Sequence, residues 1–168
     1  LHLSCLYLRY QQFSNYLRMK YFIIAFILIF SVSSCAKKRA EKQAKEDETI
    51  IQNYIAKHEL EATATGSGLY YTVETPGEGA SCDANSTVRV AYKGYLTSGT
   101  VFDESEPEGA TFGLLEVIEG WTEGIPLYKE GGKGTLIIPS ALGYGENGRG
   151  TIPDNAVLIF DIELIEVL

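Results

Sequence analysis

From Leu69 onward the chain places apolar residues at every second position in short runs, separated by clusters of Gly, Pro, Ser and Asp. That is the pattern of short antiparallel strands joined by turns. Thr87–Leu96 (TVRVAYKGYL) alternates best: Val88, Val90, Tyr92 and Leu96 fall on one face, and Arg89, Ala91, Lys93 and Tyr95 on the other. Ala156–Val167 puts Leu158, Phe160, Ile162 and Leu164 on one face. Further strands are expected at Leu69–Glu74, Val101–Phe102, Thr111–Leu115 and Lys133–Pro139, with a hairpin turn at Thr97-Ser98-Gly99-Thr100. Val117–Tyr128 has the length of one short helix, closed by Gly131-Gly132. Ser140–Pro153 is a long Gly-rich loop, and loops of that length in a compact domain tend to be functional. Many antiparallel strands and one helix predict an α+β domain: a twisted antiparallel sheet wrapped around one short helix.

The N-terminal part reads differently. Tyr21–Val32 (YFIIAFILIFSV) is unbroken and apolar, with Lys20 before it and Ser31, Ser33 and Ser34 at its end. As a helix it reaches about 18 Å, short of the roughly 30 Å hydrocarbon core. Basic start, short apolar run and small-residue zone are the layout of a secretory signal. Met19 is the natural start, so residues 1–18 read as an upstream overcall of the frame and 19–34 as the signal peptide. Val32-Ser33-Ser34-Cys35 resembles a bacterial lipobox, which implies lipidation at Cys35 and a membrane anchor through the N-terminal lipid. Ala36–Glu48 is charged and lacks core formers, so it reads as a solvated tether. Ile50, Ile51, Tyr54, Ile55 and Leu60 then recur at helical spacing, predicting a helix over Glu48–Glu61 that packs on the domain edge. Thr63–Gly68 reads as a flexible joint. Tether and short helix together occupy 35–68, and the folded domain occupies 69–168.

Charge narrows the partners. The formal net charge is −8, but residues 69–168 hold five basic and sixteen acidic residues, a net of −11. Such a domain repels phosphates, so no nucleic acid is expected. Cys5, Cys35 and Cys82 have no metal-ligand spacing, so no metal or other cofactor is expected. Cys82 reads as a lone inert thiol. Gly131-Gly132-Lys133-Gly134 lacks the spacing of a phosphate loop, and Asn85-Ser86-Thr87 is a sequon without a use in a bacterial lipoprotein.

The ordered blocks Val90-Ala91-Tyr92-Lys93-Gly94, Gly99-Thr100-Val101-Phe102-Asp103, Val117-Ile118-Glu119-Gly120-Trp121, Gly143-Tyr144-Gly145, Ile152-Pro153 and Leu158–Leu164 resemble the FKBP-type peptidyl-prolyl cis–trans isomerases. The resemblance runs from about Gly68 to Leu168. It implies catalysis of rotation about the bond preceding proline, in proline-containing polypeptide clients. That barrier is about 18–20 kcal/mol and comes from amide resonance, so no nucleophile is needed. What helps is a site that prefers the twisted amide. The planar amide carries more charge separation than the twisted one, so an apolar pocket penalises the ground state more.

By the same resemblance Tyr92, Phe102, Val117, Ile118, Trp121, Tyr144, Ile152 and Phe160 line the proline pocket. Trp121, the sole Trp, is its floor; the Ile118 N–H and the Tyr144 hydroxyl bond substrate carbonyls; Asp103 sits at the edge. The second aromatic that the family often carries near Phe112 is read here as replaced by Ala110, and Arg149 stands where some members carry His. The chain is expected to be a monomer that assists folding in the cell envelope, on the periplasmic or surface face. The competing reading is a proline-segment binding or chaperone module with incidental isomerase activity.

Overall fold

The computed structural model describes residues 36–168, so the expected signal peptide, start site and lipidated Cys35 lie outside the described residues. The chain divides into compact units at Lys42/Gln43, and the second runs Gln43–Leu168. Helix α1 spans residues 36–57. The segment expected as a tether is therefore helical. The reason lies in AKKRAEKQAKEDE, almost all Ala, Lys, Arg, Glu and Gln, which are the strongest helix formers. The helix also stops before the expected Glu61. Glu59 takes a left-handed φ of 53°, and the Leu60 N–H closes back on the Ile55 carbonyl at 3.0 Å, a Schellman-type ending.

Seven strands follow: β1 Thr63–Ala64, β2 Tyr70–Tyr71, β3 Thr87–Leu96, β4 Val101–Glu104, β5 Ala110–Gly113, β6 Lys133–Ile138 and β7 Leu158–Val167. They form one sheet in the order β1-β2-β6-β7-β3-β4, with β5 also on β3, and every pairing is antiparallel. β3 matches its expected bounds. The expected strand at Leu69–Glu74 shrinks to two residues, and the expected flexible joint contains β1.

β3 is long enough to serve two partners. Thr87–Val90 pairs with β5, and Lys93–Tyr95 with β4. Between them the Tyr92 carbonyl accepts from the Ser105 N–H at 3.0 Å, and the Tyr92 N–H donates to Ser105 Oγ at 3.0 Å. The sheet thus splits around Tyr92.

The expected helix is shorter than its pattern. α2 covers Glu119–Gly124, and Ile125–Leu127 continues as a 3-10 turn with Pro126 near its start. α2 lies directly on β6. A Cβ on Gly120 would run into the Ile138 side chain, and one on Gly124 would stand 2.7 Å from Leu136 Cδ1. The two glycines sit four apart, on one helix face.

Two cores result. The front core, under α2, gathers Val88, Val90, Leu114, Trp121, Ile125, Tyr128, Leu136, Ile138, Leu158, Phe160, Ile162 and Leu164. The back core places Ile51 and Tyr54 of α1 on Ile137, Ile159 and Val157. Alternation along β6 and β7 assigns neighbours to opposite faces, which is why Phe160 faces front and Ile159 back.

Candidate functional site

The front face opens between α2, β3, β4 and the loop Pro139–Val157, which we term the flap. The cleft there has a volume of about 370 Å3. Its lining includes Tyr92, Phe102, Asp103, Val117, Ile118, Trp121, Tyr144 and Phe160, eight of the nine residues expected at the pocket. Trp121 is 4% exposed and sits at the centre of the rings. Its centroid is 5.0 Å from Tyr92, 5.4 Å from Phe112 and 5.3 Å from Phe160, all near perpendicular. Phe102 meets Phe160 edge-on at 5.5 Å. Edge-to-face pairs satisfy the ring quadrupoles, and flat rings standing on edge leave a slot between them.

Close approach at Gly94 makes this possible. A Cβ there would lie 2.6 Å from Phe160 Cε1 and 2.7 Å from Phe102 Cε2. A side chain would push both rings into the cleft.

The polar groups are few. Tyr92 Oη donates to Asp103 Oδ2 at 2.8 Å, fixing the carboxylate at the cleft edge. Burial first, then the hydrogen bond to Asp103 and its charge, push the Tyr92 phenol well above its ordinary range. The phenol therefore stays a donor at every physiological pH. Ile118 precedes the first turn of α2, and its carbonyl accepts from the Trp121 and Thr122 N–H groups. Tyr144 stands on the flap with the Arg149 guanidinium over its ring, 5.5 Å from the centroid. The Trp121 indole nitrogen is buried with no hydrogen-bond partner among the described residues. The site has no nucleophile–base pair, and no metal-binding cluster occurs among the described residues. The half-buried Cys82 thiol is pushed up, by burial above all.

Ile152, the ninth expected residue, is 8% exposed and packs into the front core with Trp121 and Phe160, outside the residues that line the cleft. The flap folds back on itself there, with Arg149 and Ile152 exchanging backbone hydrogen bonds at 3.0 and 2.9 Å, and this turns the side chain inward. Phe112, not among the expected pocket residues, brings its ring against both Tyr92 and Trp121. The signal was available: Phe112 stands two residues before the buried Leu114. Glu116 and Arg149 also reach the lining; Arg149 stands out by the resemblance, whereas Glu116 is an exposed polar residue without a pattern to single it out.

A sequence model of the family "FKBP-type peptidyl-prolyl cis-trans isomerase" matches residues 79–165. Among curated proteins, the chain is 44% identical over 140 residues to the FKBP-type peptidyl-prolyl cis-trans isomerase FkpA of Aeromonas hydrophila, covering 81% of this chain and 52% of that protein. The Escherichia coli K12 FkpA is 41% identical over 140 residues, with the same coverage of each. Among solved structures, a peptidyl-prolyl cis-trans isomerase from Pseudomonas syringae superposes with a TM-score of 0.67 at 38% identity, over 76% of this chain and 94% of that one. The crystal structure of FkpA from Escherichia coli gives 0.66 at 41% identity, over 81% and 66%. The chain spans about half the length of the curated relatives it matches.

Proposed function

The chain belongs to the FKBP-type peptidyl-prolyl cis–trans isomerase family, and from that premise we propose that it catalyses cis–trans isomerisation of X-Pro bonds in polypeptide clients and so assists their folding. The observation that carries this reading is the slot of perpendicular rings around Trp121, walled by Tyr92, Phe102, Phe112 and Phe160. It suits a compact, apolar five-membered ring and offers no nucleophile–base pair that could break a bond.

A proline ring settles on Trp121, and its amide leaves water. Isomerisation unaided takes tens to hundreds of seconds. In the apolar slot the planar, charge-separated amide loses hydration that the twisted amide needs less, so the barrier falls. The Ile118 N–H and the Tyr144 hydroxyl hold the carbonyls flanking the rotating bond. Asp103, held by Tyr92, sets a negative charge beside the carbonyl carbon as the amide twists. These roles for Ile118, Tyr144 and Asp103 are part of the proposal.

We assign the protein to the cell envelope, as a monomer anchored by a lipid on Cys35. The short apolar run and the lipobox-like VSSC support this. Fatty-acid labelling lost in Cys35→Ala is the expected result, and labelling that survives the substitution refutes the anchor.

The activity is tested with the purified full-length chain, an X-Pro tetrapeptide and a cis-specific readout. Acceleration over buffer is expected. A peptide that binds and quenches Trp121 fluorescence while its isomerisation rate equals that of buffer leaves a binding module instead.

A further inference from the structure

The flap that carries Tyr144 has two roots, and α1 holds both. At the entry, Asp47 is 1% exposed, although a carboxylate is among the costliest groups to bury. Asp47 Oδ2 accepts from the Ser140 backbone N–H at 2.8 Å and from the Ser140 hydroxyl at 2.6 Å. Asp47 Oδ1 accepts from Gln43 Nε2 at 2.8 Å. Ser140 is itself 1% exposed and opens the 3-10 turn Ser140–Leu142. That turn is closed by the Leu142 N–H on Pro139 and the Gly143 N–H on Ser140, both at 3.0 Å. Tyr144 follows directly. At the exit, Val157 is 4% exposed and packs in the same cluster as Ile51 and Tyr54, one and two turns further along α1. Between the roots the Asn155 N–H bonds the Gly145 carbonyl at 2.9 Å, which ties the two arms of the flap together.

A helix that only covered the back of the sheet would be served by apolar residues throughout. A buried carboxylate gains nothing over a packed apolar side chain in stability alone. What it adds is direction: two short, charge-assisted bonds to one residue fix where the flap leaves the sheet. We propose that α1 is a clamp on both flap roots and that Asp47 is a positioning residue for Tyr144. The helix lies ahead of the segment matched by the family model, which begins at residue 79. On this account the cleft is complete only with α1 docked.

The kinetic arm of the test rests on the isomerase reading; the exchange arm does not. The full-length chain is compared with Asp47→Ala, Asp47→Asn, Ser140→Ala, Tyr144→Phe and the Asp47→Ala/Tyr144→Phe pair. In Asp47→Ala, backbone amides of residues 140–155 exchange roughly tenfold faster while those of β3 and β7 do not change, the scale of one lost charge-assisted hydrogen bond. KM for the X-Pro peptide rises several-fold, because the flap no longer presents Tyr144 steadily. Mere loss of folded protein would lower kcat and leave KM alone. Asn keeps an acceptor for Ser140, so Asp47→Asn restores most of both readouts. In the Tyr144→Phe background, Asp47→Ala adds little. Flap exchange that stays at its original rate overturns the clamp, as does a KM effect that multiplies fully with Tyr144→Phe. Should Asp47→Ala fail to fold, Ser140→Ala carries the same two readouts at smaller size. Should the unsubstituted chain not isomerise the peptide at all, the function reading falls and flap exchange alone decides the clamp.

Discussion

Both faces of the sheet carry an apolar core, but the two are packed to different ends. On the back, Ile51, Tyr54, Ile137, Val157 and Ile159 interlock, four of the five being aliphatic. On the front, Tyr92, Phe102, Phe112, Trp121 and Phe160 meet edge-on and leave about 370 Å3 open. Branched aliphatic chains fill irregular space, whereas rigid rings held perpendicular cannot. The cavity is thus a product of residue shape on one face, and the sheet strands carry both outcomes at alternate positions. Ile159 and Phe160 are neighbours on β7 and belong to opposite regimes.

Breaking the front should cost most. Trp121→Ala removes the floor that three rings lean on. It is expected to destabilise the fold by about 3–5 kcal/mol and to abolish measurable isomerisation in the molecules that remain folded, by peptide assay beside urea unfolding. Residual activity near that of the unsubstituted chain would show that the slot is not the site. Gly94→Ala comes next. Its new methyl overlaps Phe102 and Phe160, so a cost of about 1–3 kcal/mol from overpacking is expected, together with loss of kcat/KM as the rings shift into the cleft. A stable, fully active Gly94→Ala would mean the rings have room the geometry denies them.

The back face gives the control. Ile159→Val leaves a small void in the filled core and should cost about 0.5–1.5 kcal/mol with kcat/KM within about twofold of the original. An activity loss matching that of Gly94→Ala would erase the distinction between the faces.

The smallest effect at neutral pH is a shared alkaline response. Tyr92 on the front, Tyr95 on the back and Tyr128 in the core all have phenols pushed up, by burial above all. Tyr95 also donates to Asp161 at 3.1 Å. A raised folded-state value means that the folded chain holds protons the unfolded chain releases near pH 10. The stability from these phenols is therefore intact below about pH 10 and declines above it. Denaturant midpoints measured from pH 8 to 11 should fall only at the upper end. Tyr95→Phe should flatten that fall without altering the isomerisation rate, while Tyr92→Phe should flatten it and slow the reaction. A midpoint that rises above pH 10 would contradict the burial of these groups.

Much of this was legible in the chain. The period-2 runs located β3 and the front face of β7, because a strand with one face on a core and the other toward water alternates. The ring residues announced themselves by type and order. The misreadings have physical causes. Ala36–Glu48 reads as a tether because it lacks an apolar stripe, yet its residues have intrinsic helix propensity that needs none. Ile152 sits in the flap like a lining residue, but a backbone reversal at Arg149 turns it into the core. Asp47 lies within a charged run, and nothing local shows that its partner is Ser140.

By itself the sequence determined the main strands, which follow from the local period, and its resemblance to the FKBP-type isomerases pointed to the residues of a proline-sized apolar site. Only the tertiary structure decided that Gly94, Gly120 and Gly124 let rings and helix close on the sheet, that Tyr92 holds Asp103, and that a helix far along the chain fastens the flap. Those depend on contacts between segments distant in sequence, where the fit of one surface to another, rather than any local preference, sets the geometry.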